Sequence, residues 1–175
     1  MTVFSALLLL LALAGPPAEG AGRPLVKIHE VLGGRAGYLD LHNTGSGTAE
    51  LGGWTVQSCD GHAVPTELAT LPAGSALAPG AHFLVVGLDF GGTAAQQVVV
   101  PSITGTGETL LDRRRARVDS VAWDPASPCR EKDAAVPCPG LAESRDAFSR
   151  DTDDNRADFG CVPPADSRQY RGSLP

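Results

Sequence analysis

Leu51-Gly52-Gly53-Trp54-Thr55-Val56 joins a double glycine to an aromatic and two β-branched residues. Glycine takes up turn conformations that other residues resist. Trp, Thr and Val suit a pleated, half-buried strand. The segment therefore reads as a turn running into a strand, and the same alternation recurs on both sides of it. Upstream, Val26-Lys27-Ile28-His29-Glu30-Val31 alternates, with Val26, Ile28 and Glu30 on one face and Glu30 expected to point past the core edge. Gly33-Gly34 turns the chain into Tyr38-Leu39-Asp40-Leu41-His42, with Leu39 and Leu41 inward. Downstream, Asp60-Gly61 signals a two-residue hairpin. Phe83-Leu84-Val85-Val86 and Val98-Val99-Val100 are apolar runs of strand length. Leu110-Leu111 and Val118 to Trp123 flank a polar tip, Asp112 to Arg117, as a hairpin. Strand signals return about every ten residues, the spacing of an all-β sandwich. Trp54 and Trp123, each between strand neighbours, are expected in the core.

The amino-terminal residues 1–20 have a different character. Phe4 to Ala14 is apolar or small apart from Ser5, Pro16-Pro17 ends the run, and Ala18-Glu19-Gly20 offers small residues where a signal peptidase cuts. About eleven residues cannot span a bilayer core, which needs about twenty. The pattern is that of a secretory signal peptide, and it implies a secreted chain with no membrane span once the leader is removed. Removal takes away Glu19 and no Lys or Arg, moving the net charge from −6 to −5. Such a balance excludes a general polyanion binder and requires a local patch for any nucleic-acid contact. Residues 25–160 then form the domain and 161–175 a tail.

From Asp124 onward the chain is rich in proline and charge, and carries Cys129, Cys138 and Cys161 besides the lone upstream Cys59. An even count in an exported chain points to two disulfides. Three pairings exist. The short polar loop between Cys129 and Cys138 favours that bridge, which leaves Cys59 for Cys161. No C-x2-C pair suggests zinc. The carboxy-terminal segment is thus expected to be long, irregular and pinned by disulfides.

Candidate sites are few. No HExxH, H-x-x-x-H or G-x-S-x-G motif occurs, and no cofactor motif. His29 and His42 fall on neighbouring strands and share a face, a weak metal pair against the simpler reading of solvated strand residues. Asp151-x-Asp153-x-Asn155 has calcium-ligand spacing, but the sixth and twelfth positions are Arg156 and Val162 where an EF-hand needs Gly and Glu. A different site from Asp151, Asp153, Asn155 and Asp158 competes with a turn in which these side chains cap the backbone. The turn is favoured. Arg113, Arg114, Arg115 and Arg117 form the one dense basic patch, suited to phosphate. The simpler reading is a solvated hairpin tip offset by Asp112 and Asp119.

Taken in order, these pieces resemble the lamin tail domain in its bacterial secreted form. Ile28 to Val31 is similar to the opening strand, Tyr38 to Asn43 to the second, and Leu51 to Val56 to the central Gly-Trp strand. Leu77-Ala78-Pro79-Gly80 with Phe83 to Val86 resembles the next turn and strand. Val118 to Trp123 resembles the penultimate strand, and Asp151 to Asn155 with Asp158-Phe159 the closing segment. The resemblance implies an immunoglobulin-like β-sandwich. It carries no catalytic residues, and it implies docking of protein partners, with DNA a minor option. The expected function is a secreted, non-enzymatic interaction or adhesion module acting on an unknown protein or surface polymer. The alternatives are an accessory protein binding DNA or an anionic wall polymer through the arginine tip, and a small secreted hydrolase.

Overall fold

The computed structural model describes residues 22–164. The leader and most of the expected tail lie outside the described residues. Within them the chain is an all-β sandwich with a long carboxy-terminal segment held by two disulfides. None of the described helices is long and apolar enough to cross a membrane.

Twelve strands and one helical turn follow in order: β1 Val26–Leu32, β2 Tyr38–Asn43, β3 Ala49–Glu50, β4 Thr55–Cys59, β5 Thr66–Thr70, β6 Ala76–Leu77, β7 His82–Gly87, β8 Gln97–Val100, β9 Gly107–Leu111, β10 Arg117–Ala122, β11 Ala142–Ser144, α1 Asn155–Asp158 and β12 Gly160–Val162. One sheet has the order β12-β11-β1-β2-β7-β8, the other β10-β9-β4-β5, and β3 with β6 makes a small third pair. All pairings are antiparallel except β7 with β8. The core between the sheets contains Ile28, Val31, Leu39, Leu41, Phe83 and Val85 from one side and Val56, Leu110 and Val121 from the other. Alternation explains this filling, since period-2 side chains send every second residue inward. The Leu51–Trp54 turn works as its glycines suggest: Gly53 has φ +80°, and the Gly53 and Trp54 amides donate to Leu71 and Leu51.

Several expectations are corrected. Trp54 and Trp123 are half-buried and pack against the core from its margin. The Asp60-Gly61 turn opens into a longer loop before β5. Glu30 does not point past the core edge. A β-bulge lies between Ile28 and Glu30, so Ile28 opposes Leu41 while Glu30 opposes Asp40, with His29 as the extra residue. One added residue shifts every later side chain to the other face. Val31 therefore enters the core, and Glu30 is buried on the opposite face, where it accepts a hydrogen bond from the Tyr38 hydroxyl. The domain also runs past 160, because β12 completes the six-stranded sheet through Val162.

The disulfides pair as Cys59–Cys129 and Cys138–Cys161, not as Cys129–Cys138 and Cys59–Cys161. Sheet order is the reason. Cys59 opposes Gly107 on β9, and Gly107 opposes Ala122 at the end of β10. A Cβ on Gly107 would lie 2.6 Å from the Ala122 side chain, so glycine permits this close approach. Residues 123–129 then fold back along β10, where the Cys129 carbonyl accepts the Ser120 hydroxyl at 2.8 Å. Cys161 opposes Glu143 on β11, and the Glu143 carboxylate accepts the Cys138 amide at 3.0 Å. The stretch between Cys129 and Cys138 crosses from one sheet to the other, so these neighbours in sequence are separated in space.

Non-reducing peptide mapping of the oxidised protein is expected to yield the Cys59–Cys129 and Cys138–Cys161 peptides. The bridges close loops spanning 70 and 23 residues. In the chain-entropy picture their removal costs about 4 and about 3 kcal/mol. Denaturant unfolding of paired Cys→Ser variants checks that order.

Candidate functional site

The outer face of the six-stranded sheet carries rows of side chains set by strand register. Lys27, His42 and His82 form one row across β1, β2 and β7, and Glu30, Asp40 and Leu84 the next. The bulge adds His29 to the first row. The result is a cluster of three imidazoles. His42 and His82 stack with centres 4.3 Å apart, and His29 meets each edge-on at 5.7 Å. The Ser149 hydroxyl lies 2.9 Å from Nδ1 of both His29 and His42. The buried Asp40 carboxylate lies 2.9 Å from Nδ1 of His82. Ser149 comes from the carboxy-terminal segment. There the Asp146 carboxylate accepts the Phe148 and Arg150 amides, the Ser149 amide donates to the Asp146 carbonyl, and Ser149 is held at φ +50°. Non-glycine residues seldom adopt that region.

Electrostatics differ among the three rings. Burial lowers the His42 pKa to about 4, with repulsion from His82 and His29 adding to it. Burial also lowers that of His29, which the nearby Asp40 charge only partly offsets. Burial opposes the charge on His82 as well, but the Asp40 hydrogen bond and carboxylate charge outweigh it and raise its pKa. The cluster thus holds neutral and protonatable imidazoles side by side. His29 and His42 were paired by the sequence; His82 and Ser149 were not, because only the sheet order β1-β2-β7 and the returning segment bring them in.

The acidic segment is built around Arg145. This fully buried guanidinium donates from Nε to the Ile28 carbonyl at 3.1 Å and from Nη2 to Asp119 at 3.0 Å. Its Nη1 reaches the Arg150 carbonyl, Asp151 and Asp158 at 2.8 to 3.1 Å. Its Cζ lies over the Phe159 ring, 4.5 Å from the ring centre. Asp151 also accepts from Lys27 and from the Asp153 amide, and Asp158 from Thr152. Asn155 bonds the Ala122 and Glu131 amides, the Ser120 carbonyl and the Glu131 carboxylate. Asp153 is exposed at φ +56°. The expected turn scaffold is therefore present, with an arginine at its centre. Asp119, Glu131 and Asp151 bring carboxylate oxygens within 4.8 Å of one another, as around a cation, and Arg145 supplies the positive charge.

That cluster holds more carboxylates than cations. Burial raises Glu131 to about 7, helped by the Asp119 and Asp151 charges. Burial raises Asp119 to about 6 against the pull of Arg145 and Lys27. For Asp151 burial is outweighed by the Lys27 bond, the Asp153 amide and Arg145, and its pKa falls to about 2. Glu108, in the core beside Val121, is fully buried with neither carboxylate oxygen hydrogen-bonded, and burial pushes its pKa well above the usual carboxylate range.

The arginine tip does form a hairpin apex. The Asp112 carboxylate accepts the Arg114 and Ala116 amides at 2.8 and 2.9 Å, and Arg115 adopts φ +66°. The guanidiniums do not all project together, however. Arg115 turns back to the Thr55 hydroxyl at 3.2 Å and approaches Glu67. Arg117 lies near enough to Glu131 to oppose the rise in its pKa.

A third surface lies where the carboxy-terminal segment leaves β10. Trp123, Pro125, Ala135 and Pro137 line a depression of about 520 Å³, together with the charged side chains of Arg130, Asp133 and Arg156. Both arginines are exposed, as is Val136. Trp123 and Pro137 are shared with an adjoining depression that Leu141 also lines. Compared with known proteins, the chain matches no protein-family model and no curated protein sequence.

Two outcomes follow. Arg145→Leu strands buried carboxylates and is expected to cost about 3–5 kcal/mol, read by denaturant unfolding. Imidazole NMR is expected to show His42 titrating at about 4 and His82 above 6.5. The depressed His42 contributes stability above pH 6.5 that is lost as pH falls through about 4. The raised His82 contributes stability below pH 6.5 that is lost as pH rises through its folded value.

Proposed function

We propose that this chain is a secreted, non-enzymatic interaction module, a disulfide-pinned sandwich of lamin-tail type that docks a protein partner outside the cell. The observation that carries this reading is the groove at Trp123. An aromatic ring, prolines and alanines provide an apolar lining, and Arg130 and Arg156 outnumber the one acid, Asp133, beside it. Interface centres favour aromatic and arginine side chains in this way. The matching partner surface is an apolar segment flanked by Asp or Glu. The groove is also constrained, because residues 129–138 are tied down at both ends by the disulfides. A preorganised surface loses less entropy on binding.

The test uses the mature protein as bait in its native culture medium, beside R130E/R156E and R113A/R114A/R115A variants. The expected result is a captured protein whose recovery falls at least about tenfold with the groove variant, as for loss of about 1.4 kcal/mol, and is unchanged with the tip variant. Capture indifferent to the groove variant, or none, overturns the groove. Binding to DNA or wall polymer that is lost with the tip variant, with a log–log salt slope near −3 for about three phosphates, supports the polyanion alternative instead. Turnover of ester, glycoside or phosphoester substrates overturns the non-enzymatic reading.

A further inference from the structure

We propose that His29, His42 and His82 form a binding site for a divalent transition-metal ion of the zinc class on the outer face of the six-stranded sheet. Three imidazoles from three adjacent strands converge at centre spacings of 4.3 to 5.7 Å. Two imidazoles on one tetrahedral ion, with Zn–N of about 2.0–2.1 Å, have centres about 5 Å apart. The backbone thus already supplies the spacing. Imidazole nitrogen suits zinc, copper and nickel rather than calcium or magnesium.

A second observation is independent of that spacing. Each ring is held at Nδ1: His29 and His42 by the Ser149 hydroxyl, His82 by Asp40. A ring whose Nδ1–H donates to a hydroxyl or carboxylate has the outer-shell arrangement of metal-binding histidines, with Nε2 left as the ligating atom. Ser149 reaches both rings only because the Asp146 turn holds it in the left-handed region. Such local strain is a pointer to function. The rings are half-buried, so an ion can reach them from solvent. One movement is required: the His42–His82 stack, with planes 7° apart, must open by rotation of His42, which gives up its Ser149 bond to the ion while His29 keeps Ser149 and His82 keeps Asp40.

The probe is zinc, added to mature, chelator-stripped protein at pH 7.5 and followed by calorimetry and thermal unfolding. The expected result is one zinc per chain. At zinc a hundredfold above its dissociation constant, the melting temperature is expected to rise by roughly 5–10 °C. His42→Gln and His29→Gln each weaken binding more than about tenfold, and Ser149→Ala about tenfold through lost anchoring. His62→Ala, on an exposed loop, leaves binding unchanged. Cobalt gives a visible d–d band that disappears in the His42→Gln protein. Circular dichroism and the metal-free melting temperature show whether each variant folds. Should a single variant not fold, the cobalt band and zinc-dependent histidine NMR shifts of the parent protein decide alone. Absence of saturable zinc binding by the parent overturns the proposal. So does binding that survives loss of both His29 and His42, that depends on His62, or that Asp151→Asn abolishes while the histidine signals stay unmoved.

Discussion

Burial of one guanidinium governs how this chain closes. Arg145 leaves β11 at the point where that strand stops pairing with β1. The Ile28 amide and carbonyl beyond that point are met by side chains: Asp119 accepts the amide at 2.6 Å, and Arg145 donates to the carbonyl. Asp119 belongs to β10, in the opposite sheet. The same two side chains then pair with each other. One ion pair therefore caps a strand edge, joins the two sheets and fixes the carboxy-terminal segment. A buried ion pair is not automatically stabilising, because desolvation rivals the Coulomb gain. Here each guanidinium nitrogen donates at least one hydrogen bond, and the Phe159 face covers the guanidinium. The arrangement specifies one register for the segment, since any other leaves a buried charge unpaired.

The bulge at His29 has equal consequence on the other face. Without the extra residue, Glu30 would enter the core and Val31 would face outward. With it, β1 delivers Ile28 and Val31 to the core and places His29 beside His42. The same insertion satisfies packing on one side and gathers imidazoles on the other. Bulges near sites commonly re-aim side chains in this manner.

These features mark what a sequence can convey. The strands, the hairpin at Asp112 to Arg117, the inward Leu39 and Leu41 and the turn character of Asp151 to Asp158 follow from local pattern and turn chemistry. Glu30 was misplaced because a bulge changes parity without leaving a signature in residue type. The disulfides were mispaired because loop length favours Cys129–Cys138, while sheet order puts Cys59 beside Cys129. Arg145 sits in a polar stretch, where arginine reads as solvated; nothing local says that acids from β10 and the closing turn surround it. His82 and Ser149 join His29 and His42 only through tertiary order. The family resemblance carries no information about the imidazole cluster.

The carboxy-terminal segment links the buried clamp to that cluster. Between Arg145, bonded in the interior, and Asp151, bonded to Lys27, lie only the residues of the Ser149 turn. Lys27 is the strand neighbour of His42. A turn anchored at both ends cannot drift, so the Ser149 hydroxyl stays between His29 and His42 as long as Arg145 stays paired. Its left-handed backbone costs on the order of 1 kcal/mol, a strain that a segment without these anchors would release by unwinding. The network that joins the two sheets is thus also the support that orients two of the three imidazoles. Stability of the segment and geometry of the cluster rest on the same buried charge.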